Sequence, residues 1–315
     1  MQEAHSKKPT NDFNDEIDLQ ELFYVLLRGK WIIVSMTAFI SIIGVIFSLQ
    51  LPNIYESKAL LVPVNSSNSI SGAIGGYSGL AGLAGISLSS RGDEGNSVKA
   101  LEKISSLSFF ENNILTNIFL PDLMAVKSWN LKTNTLTYDE SIYKKNSNDW
   151  VRDYSYRKKQ IPSAQESFAV FKTEHFSLSE DKNSGFVTLS IKHQSPYIAK
   201  EWAELVINEV NDFYRQKDKS ESEKAASYLN QQISMTTLSE IKQVMAELLQ
   251  KEIKKLTLIE ANQFYVFDYI DPPVVMEQKS EPNRILICIL SALLGGIFSI
   301  ILVVIKHYAF KERAS

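Results

Sequence analysis

Cysteine is almost absent from this 315-residue sequence, in which Cys288 is the single example. A disulfide within one chain needs two cysteines, so none can form. Histidine is also scarce, and its four residues are scattered, His5, His175, His193 and His307. No two of them are four residues apart and none has a cysteine nearby, so the ligand spacings of a protein metal site are missing. We therefore expect no metal site and no cofactor.

An excess of one sign of charge is also lacking. The chain has 33 Lys and Arg against 36 Asp and Glu, for a formal net charge of -3. Nucleic-acid-binding domains are typically strongly basic, so we expect no nucleic-acid partner. The carboxylates Asp218, Glu221 and Glu223 lie close together but alternate with three lysines, as on the solvated face of a helix. We therefore expect no catalytic carboxylate pair and no enzymatic activity.

Two stretches, residues 31–51 and 285–305, contain no Asp, Glu, Lys or Arg. Each has about the 20 residues that a helix needs to cross a hydrocarbon core. A cleaved signal peptide and a buried core helix are the alternatives. The signal peptide is disfavoured because a polar tail of 30 residues precedes the first stretch and no small-residue cleavage site follows it. Two transmembrane helices are predicted.

Basic residues near the two spans predict their orientation. Five lie on the outer sides, Arg28, Lys30, Lys306, Lys311 and Arg313, whereas the enclosed side offers only Lys58, Lys279 and Arg284. Lys and Arg beside a span are retained in the cytoplasm. Residues 1–30 and 306–315 are therefore predicted to be cytoplasmic, and residues 52–284 to be extracytoplasmic, which in a bacterium means periplasmic.

Glycine is absent and proline does not recur over residues 197–271, which predicts long helices from Pro196 onward. Apolar residues first recur along one stripe, at Ile198, Trp202, Leu205, Val206, Val210 and Phe213. The stripe stops over residues 215–224, so we expect that stretch to bury no face and to project into solvent. Apolar spacing returns with Ala225, Leu229 and Ile233, weakens around residues 234–240 and resumes over residues 241–256. One helix over 197–261 would reach roughly 95 Å, so the region is either a projecting helix or a hairpin. Thr237 and Glu240 have the spacing of a capping box, which allows a break in the helix at this point.

The rest of the middle region mixes strand and helix patterns. Residues 55–64, 185–193 and 263–270 have strand character, the second with clear alternation, and residues 97–115 have helical spacing. Residues 121–165 give no clear pattern. Eight of the 13 glycines fall within residues 72–95, which predicts a loop with apolar residues that packs on a surface or on a neighbouring subunit. This loop lacks the Gly-Lys-Ser/Thr ending of a nucleotide-binding loop.

Four segments together resemble the Wzz-type chain-length determinants, the polysaccharide co-polymerases of bacterial inner membranes. They are residues 14–34, 55–64, 185–210 and 271–296. In the last, Pro272, Pro273 and Pro282 match the spaced prolines of the family, and Met276 stands where a further proline often occurs. The resemblance implies an α+β membrane protein whose two transmembrane helices enclose a periplasmic α/β base domain with a long projecting helix or helical hairpin. On this sequence the base comprises residues 52–195 and 262–271, the helical region 196–261 and a proline-rich linker 272–284.

Two sets of candidate functional residues follow. The first is the membrane linker, with Pro272, Pro273, Pro282 and Arg284, where proline prevents regular helix and stiffens the connection to the span. The second consists of small residues spaced four apart in the spans, at which helices approach closely: Ser291 with Gly295, Ala292 with Gly296, and Gly44 with Ser48. Trp129, Trp150 and the Tyr-rich stretch 138–156 could stack on sugars, although aromatic residues are more often core.

The family resemblance implies a homo-oligomer that acts on undecaprenyl-linked polysaccharide with the O-antigen polymerase, in contact with membrane lipid. The leading hypothesis is thus a non-enzymatic regulator of lipopolysaccharide O-antigen length. One alternative is an adaptor for capsule or exopolysaccharide export that works with a separate cytoplasmic tyrosine kinase, since the tail of residues 306–315 is too short for a fused kinase. The other is a two-span sensor.

Overall fold

The computed structural model describes residues 19–64, 94–153, 155 and 158–314. The predicted glycine-rich loop at 72–95 lies almost wholly outside the described residues, as do residues 1–18 of the N-terminal tail. The chain divides into two compact units. The terminal unit joins Met1–Leu51 with Pro282–Ser315, and the central unit is Pro52–Glu281.

The helices and strands follow one another in this order: α1 (Leu19–Arg28), α2 (Lys30–Gln50), β1 (Tyr55–Pro63), α3 (Glu94–Ile104), α4 (Leu107–Phe109) with a π-helical turn (Phe110–Ile114), α5 (Leu120–Met124), β2 (Val126–Asn130), β3 (Thr135–Tyr138), β4 (Tyr143–Lys144), β5 (Asp149–Trp150), α6 (Ala164–Val170) with a second π-helical turn (Phe171–His175), β6 (Phe176–Glu180), β7 (Val187–His193), α7 (Pro196–Met235), α8 (Ser239–Ala261), β8 (Phe267–Asp271) and α9 (Arg284–Ala314).

The terminal unit contains the two apolar helices. Their candidate membrane-spanning parts are Lys30–Gln50, with 21 residues, and Arg284–His307, with 24. Helix α2 packs along α9, and α1 packs against α9 as well. Gly29 separates α1 from α2 at a point where a Cβ would lie 2.5 Å from Val303 Cγ1. Helix α9 continues to Ala314, beyond the end of the predicted span at residue 305.

The core of the central unit is a four-stranded antiparallel sheet covered on one face by helices. The strand order is β6-β7-β1-β8, and Ala59 of β1 pairs with Leu189 of β7. Alternate residues of β7, Val187, Leu189 and Ile191, are fully buried, as the predicted period of two requires. They share the core with the predicted stripe of α7, of which Trp202, Val206 and Val210 are buried and Ile198, Leu205 and Phe213 partly buried.

Residues 196–261 form two antiparallel helices. Helix α7 ends at Met235 and α8 begins at Ser239, within the segment where a break was allowed. Lys219 lies 2.5 Å from Glu260, and the Thr236 hydroxyl lies 3.9 Å from Met245 Sδ, so the two helices run in opposite directions. The predicted capping box does not form, because Leu238 occupies the N-cap of α8 without a side-chain hydrogen bond.

The expectation that residues 215–224 bury no face is wrong. Asp218 and Ser222 are buried, with only 1% of Ser222 exposed. Helix α8 returns along this part of α7, where Lys219 lies 2.5 Å from Glu260. Tyr265 donates a hydrogen bond to Asp218 Oδ2 at 2.5 Å, which compensates the burial of that carboxylate. Asp218 therefore does not belong to a solvated acidic face.

Two other predicted elements differ in their limits. The helix predicted at 97–115 is interrupted after Ile104, where the Ser106 side chain accepts a hydrogen bond from Phe109 N and starts a new helix. The strand predicted at 263–270 begins at Phe267 instead. The amides of Tyr265 and Val266 donate hydrogen bonds to Asn211 Oδ1 on α7. In a longer strand these two amides would be available to pair with a neighbouring strand.

Candidate functional site

Metal ligands and histidines are the first candidates for catalytic chemistry. Within residues 19–64, 94–153, 155 and 158–314, no group of three or more His, Cys, Asp and Glu could hold a metal ion. His175 and His193 lie side by side, with ring centroids 5.6 Å apart. Ser195 N donates to His193 Nδ1 at 2.9 Å, and His193 Nε2 donates to Asp122 O at 3.0 Å. Both nitrogens of His193 are thus used by backbone groups in the neutral form.

Burial determines the ionisation of this histidine pair. Loss of water contact lowers the pKa of His193 to about 4. Burial likewise lowers the pKa of His175, whose Nδ1 lies 2.7 Å from Lys192 O. Two neutral, hydrogen-bonded rings packed against Trp202 are a structural element of the core.

The two chain connections of the central unit meet at one place, which we call the junction. Ile54 N donates to Glu281 O at 3.0 Å, and Ser280 N donates back to Ile54 O at 2.8 Å. Residues 52–54 lead from the first apolar helix, and residues 279–281 lead to the second. The two ends of the central unit are therefore held together by a short segment of paired backbone.

Side chains hold the linker on the sheet next to the junction. Ser57 Oγ donates to Val274 O at 2.9 Å, and Lys192 Nζ lies 2.5 Å from Glu281 Oε1. Ser280 Oγ lies 3.1 Å from Glu56 Oε2. Burial acts to raise the pKa of Glu56, but Lys58, Ser280 and Lys192 outweigh it, so that the pKa lies below its ordinary value. The hydrogen bond to Glu281 raises the pKa of Lys192.

The predicted linker prolines occupy different environments. Pro272 is exposed, Pro273 is buried and Pro282 is half-buried, while Arg284 is the first residue of α9. Residues 272–280 form neither helix nor strand. Pro272 and Pro273 begin this irregular segment, and Lys192, Ser57 and Glu56 contact the linker. The sequence did not predict these three contacts, because the sequence of a strand does not indicate which distant residues of the chain lie beside it.

The predicted small residues of the spans divide between two faces of α9. A Cβ added at Gly44 would lie 2.2 Å from Ser291 Oγ, and one at Gly295 would lie 3.0 Å from Ile40 Cβ. A Cβ at Gly296 meets no atom within 4 Å. Ser291 and Gly295 thus contact α2 of the same chain, and Thr37 Oγ1 lies 3.3 Å from Ser299 Oγ farther along the pair. Ser48 is buried and Ala292 half-buried.

Helix α8 carries more apolar surface than α7 covers. Met245, Leu249 and Leu256 are half-buried, and Met245 Sδ lies 3.9 Å from the hydroxyl of Thr236, the residue that follows α7. A second set, one to two turns apart on the adjoining face, is exposed: Ile241, Val244 and Leu248. We call this set the outer face. Contiguous exposed apolar residues of this kind mark sites of interaction.

Of the aromatic residues that could stack on sugars, Tyr154 and Tyr156 lie outside the described residues, and the described ones fall into two clusters. Trp150 packs at 5.3 Å on the buried ring of Tyr143, which also contacts Tyr138, and so belongs to a small core. Trp129 is half-buried, with its ring centroid 5.4 Å from Tyr55 and 6.3 Å from Tyr197. Neither cluster presents two parallel exposed rings between which a sugar could lie.

Comparison with known proteins confirms the resemblance to Wzz-type proteins. Residues 15–117 match the family model Wzz, described as chain length determinant protein. No curated protein matches the chain. A solved full-length bacterial polysaccharide co-polymerase is 14% identical, with 95% of this chain and 100% of that chain covered and a TM-score of 0.42. A fragment of WzzB, the polysaccharide co-polymerase from Salmonella Typhimurium, is 12% identical over 73% of this chain and 100% of that chain, with a TM-score of 0.30.

Proposed function

We propose that this protein sets the length distribution of a bacterial surface polysaccharide, namely the modal length of lipopolysaccharide O-antigen. It acts as a non-enzymatic, oligomeric scaffold in the inner membrane, together with the O-antigen polymerase and the undecaprenyl-linked glycan. The observation that carries the proposal is the match of residues 15–117 to the chain length determinant family. That match includes the first apolar helix and strand β1.

The membrane placement is supported by the two apolar helices. Both are long enough to cross a bilayer, and no charged residue interrupts residues 31–51 or 285–305. We assign both chain ends to the cytoplasm and the central unit to the periplasm from the basic residues that flank the spans. In this arrangement the linker connects the central unit to the periplasmic end of the second span.

The scaffold role is supported by the outer face of α8. Val244 is 56% exposed although it lies among other apolar side chains. Burying a side chain of this kind stabilises by about 1.5 to 3 kcal/mol. We assign this face to contact between copies of the same chain, because the helical hairpin would then hide in the oligomer the apolar surface that one copy leaves in water.

A deletion strain tests the proposal. Lipopolysaccharide from a strain that lacks the gene is compared on a gel with that from the parent strain and from the deletion strain carrying the gene on a plasmid. We expect the preferred length to disappear in the deletion and to return with the plasmid. A ladder that is the same in all three strains would contradict O-antigen control, and altered capsule or exopolysaccharide in the same deletion would favour the adaptor with a cytoplasmic tyrosine kinase.

A further inference from the structure

The turn between β2 and β3 exposes a large apolar side chain at its tip. Leu131 is 74% exposed. Lys127 on β2 and Lys132 in the turn are exposed as well, and no acidic residue occurs between Asp122 and Asp139. Trp129 lies on the same hairpin, where Nε1 donates to Asn134 Oδ1 at 2.9 Å. The hairpin therefore combines an unpartnered leucine, an indole and two positive charges.

This hairpin is tied to the junction through aromatic contacts. The Trp129 ring packs edge-on against Tyr55 at 5.4 Å and lies 6.3 Å from Tyr197, which is itself half exposed. Tyr55 follows Gln50, the last residue of α2, by five positions. Five residues of extended chain span at most about 18 Å. Trp129 thus packs on a residue that is separated from the last residue of α2 by no more than this length of chain.

The chemistry of the hairpin suits the surface of a lipid bilayer. Trp and Tyr concentrate at the headgroup level, where the ring is in an apolar layer and its N–H or O–H stays hydrated. Lysines close to the surface are attracted by anionic phospholipid. An exposed leucine between two such lysines gains by entering the same layer.

We propose that the tip of the β2–β3 hairpin, residues 129–134, inserts into the headgroup layer of the bilayer, with Lys127 and Lys132 against anionic phospholipid. This inference rests on the membrane placement in the proposed function. It gives the central unit a contact with the membrane in addition to the junction. Because both chain connections meet at the junction, that segment alone would act as a hinge, and the hairpin contact fixes the tilt of the central unit.

A fluorescent label on the hairpin tests this contact in the full-length protein. Leu131→Cys is made in a Cys288→Ser background, which leaves one thiol, and is labelled with an environment-sensitive NBD dye. The protein is reconstituted in vesicles of phosphatidylethanolamine and phosphatidylglycerol, with and without a phosphatidylcholine spin-labelled close to the headgroup. The matched control is Leu238→Cys, at a leucine that is 62% exposed in the turn between α7 and α8. Ile297→Cys in the middle of α9 reports insertion of the span itself.

We expect the label at residue 131 to emit at shorter wavelength than the label at residue 238 and to lose most of its emission to the spin-labelled lipid, while residue 238 keeps its emission. Equal, unquenched emission at residues 131 and 238 would overturn the proposal. A shift at residue 131 without quenching would also overturn it, because protein would then cover the hairpin. Residue 297 is tested with a phosphatidylcholine that is spin-labelled deep in its acyl chain. If that lipid does not quench the label at residue 297, the membrane placement itself is wrong. Failure of the proposed function is thereby distinguished from failure of the hairpin contact.

The two lysines provide an independent test in the labelled protein. The double substitution Lys127→Gln with Lys132→Gln should reduce the quenching at residue 131 several-fold in vesicles that contain phosphatidylglycerol. In vesicles of phosphatidylcholine alone the two proteins should be quenched alike. Lys242→Gln with Lys251→Gln, two exposed lysines of α8, is the charge-matched control and should change nothing. Equal quenching of both double variants in anionic vesicles would overturn the role of Lys127 and Lys132.

Discussion

Asn211 and Phe267 exchange hydrogen bonds in both directions. Asn211 Nδ2 donates to Phe267 O, and Phe267 N donates to Asn211 Oδ1, both at 3.0 Å. The same Oδ1 also accepts from Val266 N at 2.7 Å. The side-chain amide thus pairs with the backbone as a neighbouring strand would. It fixes the point at which the chain, returning from the α7–α8 hairpin, joins the sheet as β8.

Removing this amide should destabilise the central unit. Asn211→Ala leaves buried backbone amides at residues 265–267 without their partner, which we expect to cost on the order of 3 kcal/mol. Thermal unfolding in detergent, followed by circular dichroism, measures the effect. Asn230→Ala, at an exposed position of the same helix, is the control and should unfold near the wild-type temperature. Equal midpoints for the two variants would show that Asn211 does not hold β8.

The two glycine faces of the spans should respond differently to a methyl group. Gly44→Ala places a Cβ against Ser291, where the nearest side-chain atoms would be 2.2 and 2.5 Å away, so the helix pair must separate. We expect a loss of about 1 to 3 kcal/mol, as for other overpacked contacts. Gly296→Ala makes no close contact within the chain and is the control.

Resistance of the detergent-solubilised protein to heating, read from the monodisperse fraction on size exclusion, measures that difference. Gly44→Ala should lose this fraction at lower temperature than Gly296→Ala. The reverse order would contradict the observed packing of α2 on α9 at Gly44. The two variants also separate packing within a chain from contacts with other membrane proteins, because a polysaccharide-length effect of Gly296→Ala at normal stability would assign Gly296 to an external partner.

Acid should destabilise the protein partly through His193. Its pKa is about 4 in the folded protein against an ordinary value of 6.5, so between these values the unfolded chain binds a proton that the folded chain does not. The free energy of unfolding is therefore complete above pH 6.5 and falls as the pH drops towards 4, by roughly 3 kcal/mol from this residue. His193→Gln should be less stable at neutral pH and should lose less stability on acidification. Parallel pH dependences of wild type and variant would contradict this role.

The ion pair between Lys192 and Glu281 should affect polysaccharide length more than it affects the stability of the protein. Both side chains are partly exposed, so we expect the pair to contribute only about 0.2 to 1 kcal/mol. It nevertheless holds the linker against the sheet. Lys192→Glu and Glu281→Lys should each shift the polysaccharide length distribution, and the double exchange should restore it.

The exposed pair of Lys219 and Glu260 on the helical hairpin is the matched control for that experiment. Exchanging its charges should leave the length distribution unaltered. If the double exchange at residues 192 and 281 fails to restore what each single substitution changes, with all proteins present at normal levels, the ion pair is not what positions the linker.

Local patterns of the sequence predicted the elements whose partners lie on one continuous face. β1, β7 and the first half of α7 follow from alternation and helical spacing, because their apolar faces pack directly on one another. The break between α7 and α8 could also be predicted, because the apolar spacing weakens around residues 234–240. The capping-box residues Thr237 and Glu240 indicated the region although the cap itself is not formed.

The features that the sequence did not reveal depend on residues far apart in the chain. Burial of Asp218 and Ser222 requires α8 to return along α7 and Tyr265 to reach the carboxylate. The start of β8 depends on the amide of Asn211. For the small residues of α9, spacing alone treats Gly295 and Gly296 alike, and only the position of α2 distinguishes them.

The central claim is tested most directly by the length distribution of lipopolysaccharide from a deletion strain. The strain carries on a plasmid either the wild-type gene or the variant with Val244→Glu and Leu248→Glu on the outer face of α8. We predict a clear preferred length with the wild type and its loss with the variant, at equal protein levels and with smaller assemblies in detergent. Lipopolysaccharide of the same distribution without the gene, with the wild type and with the variant would contradict the proposed function.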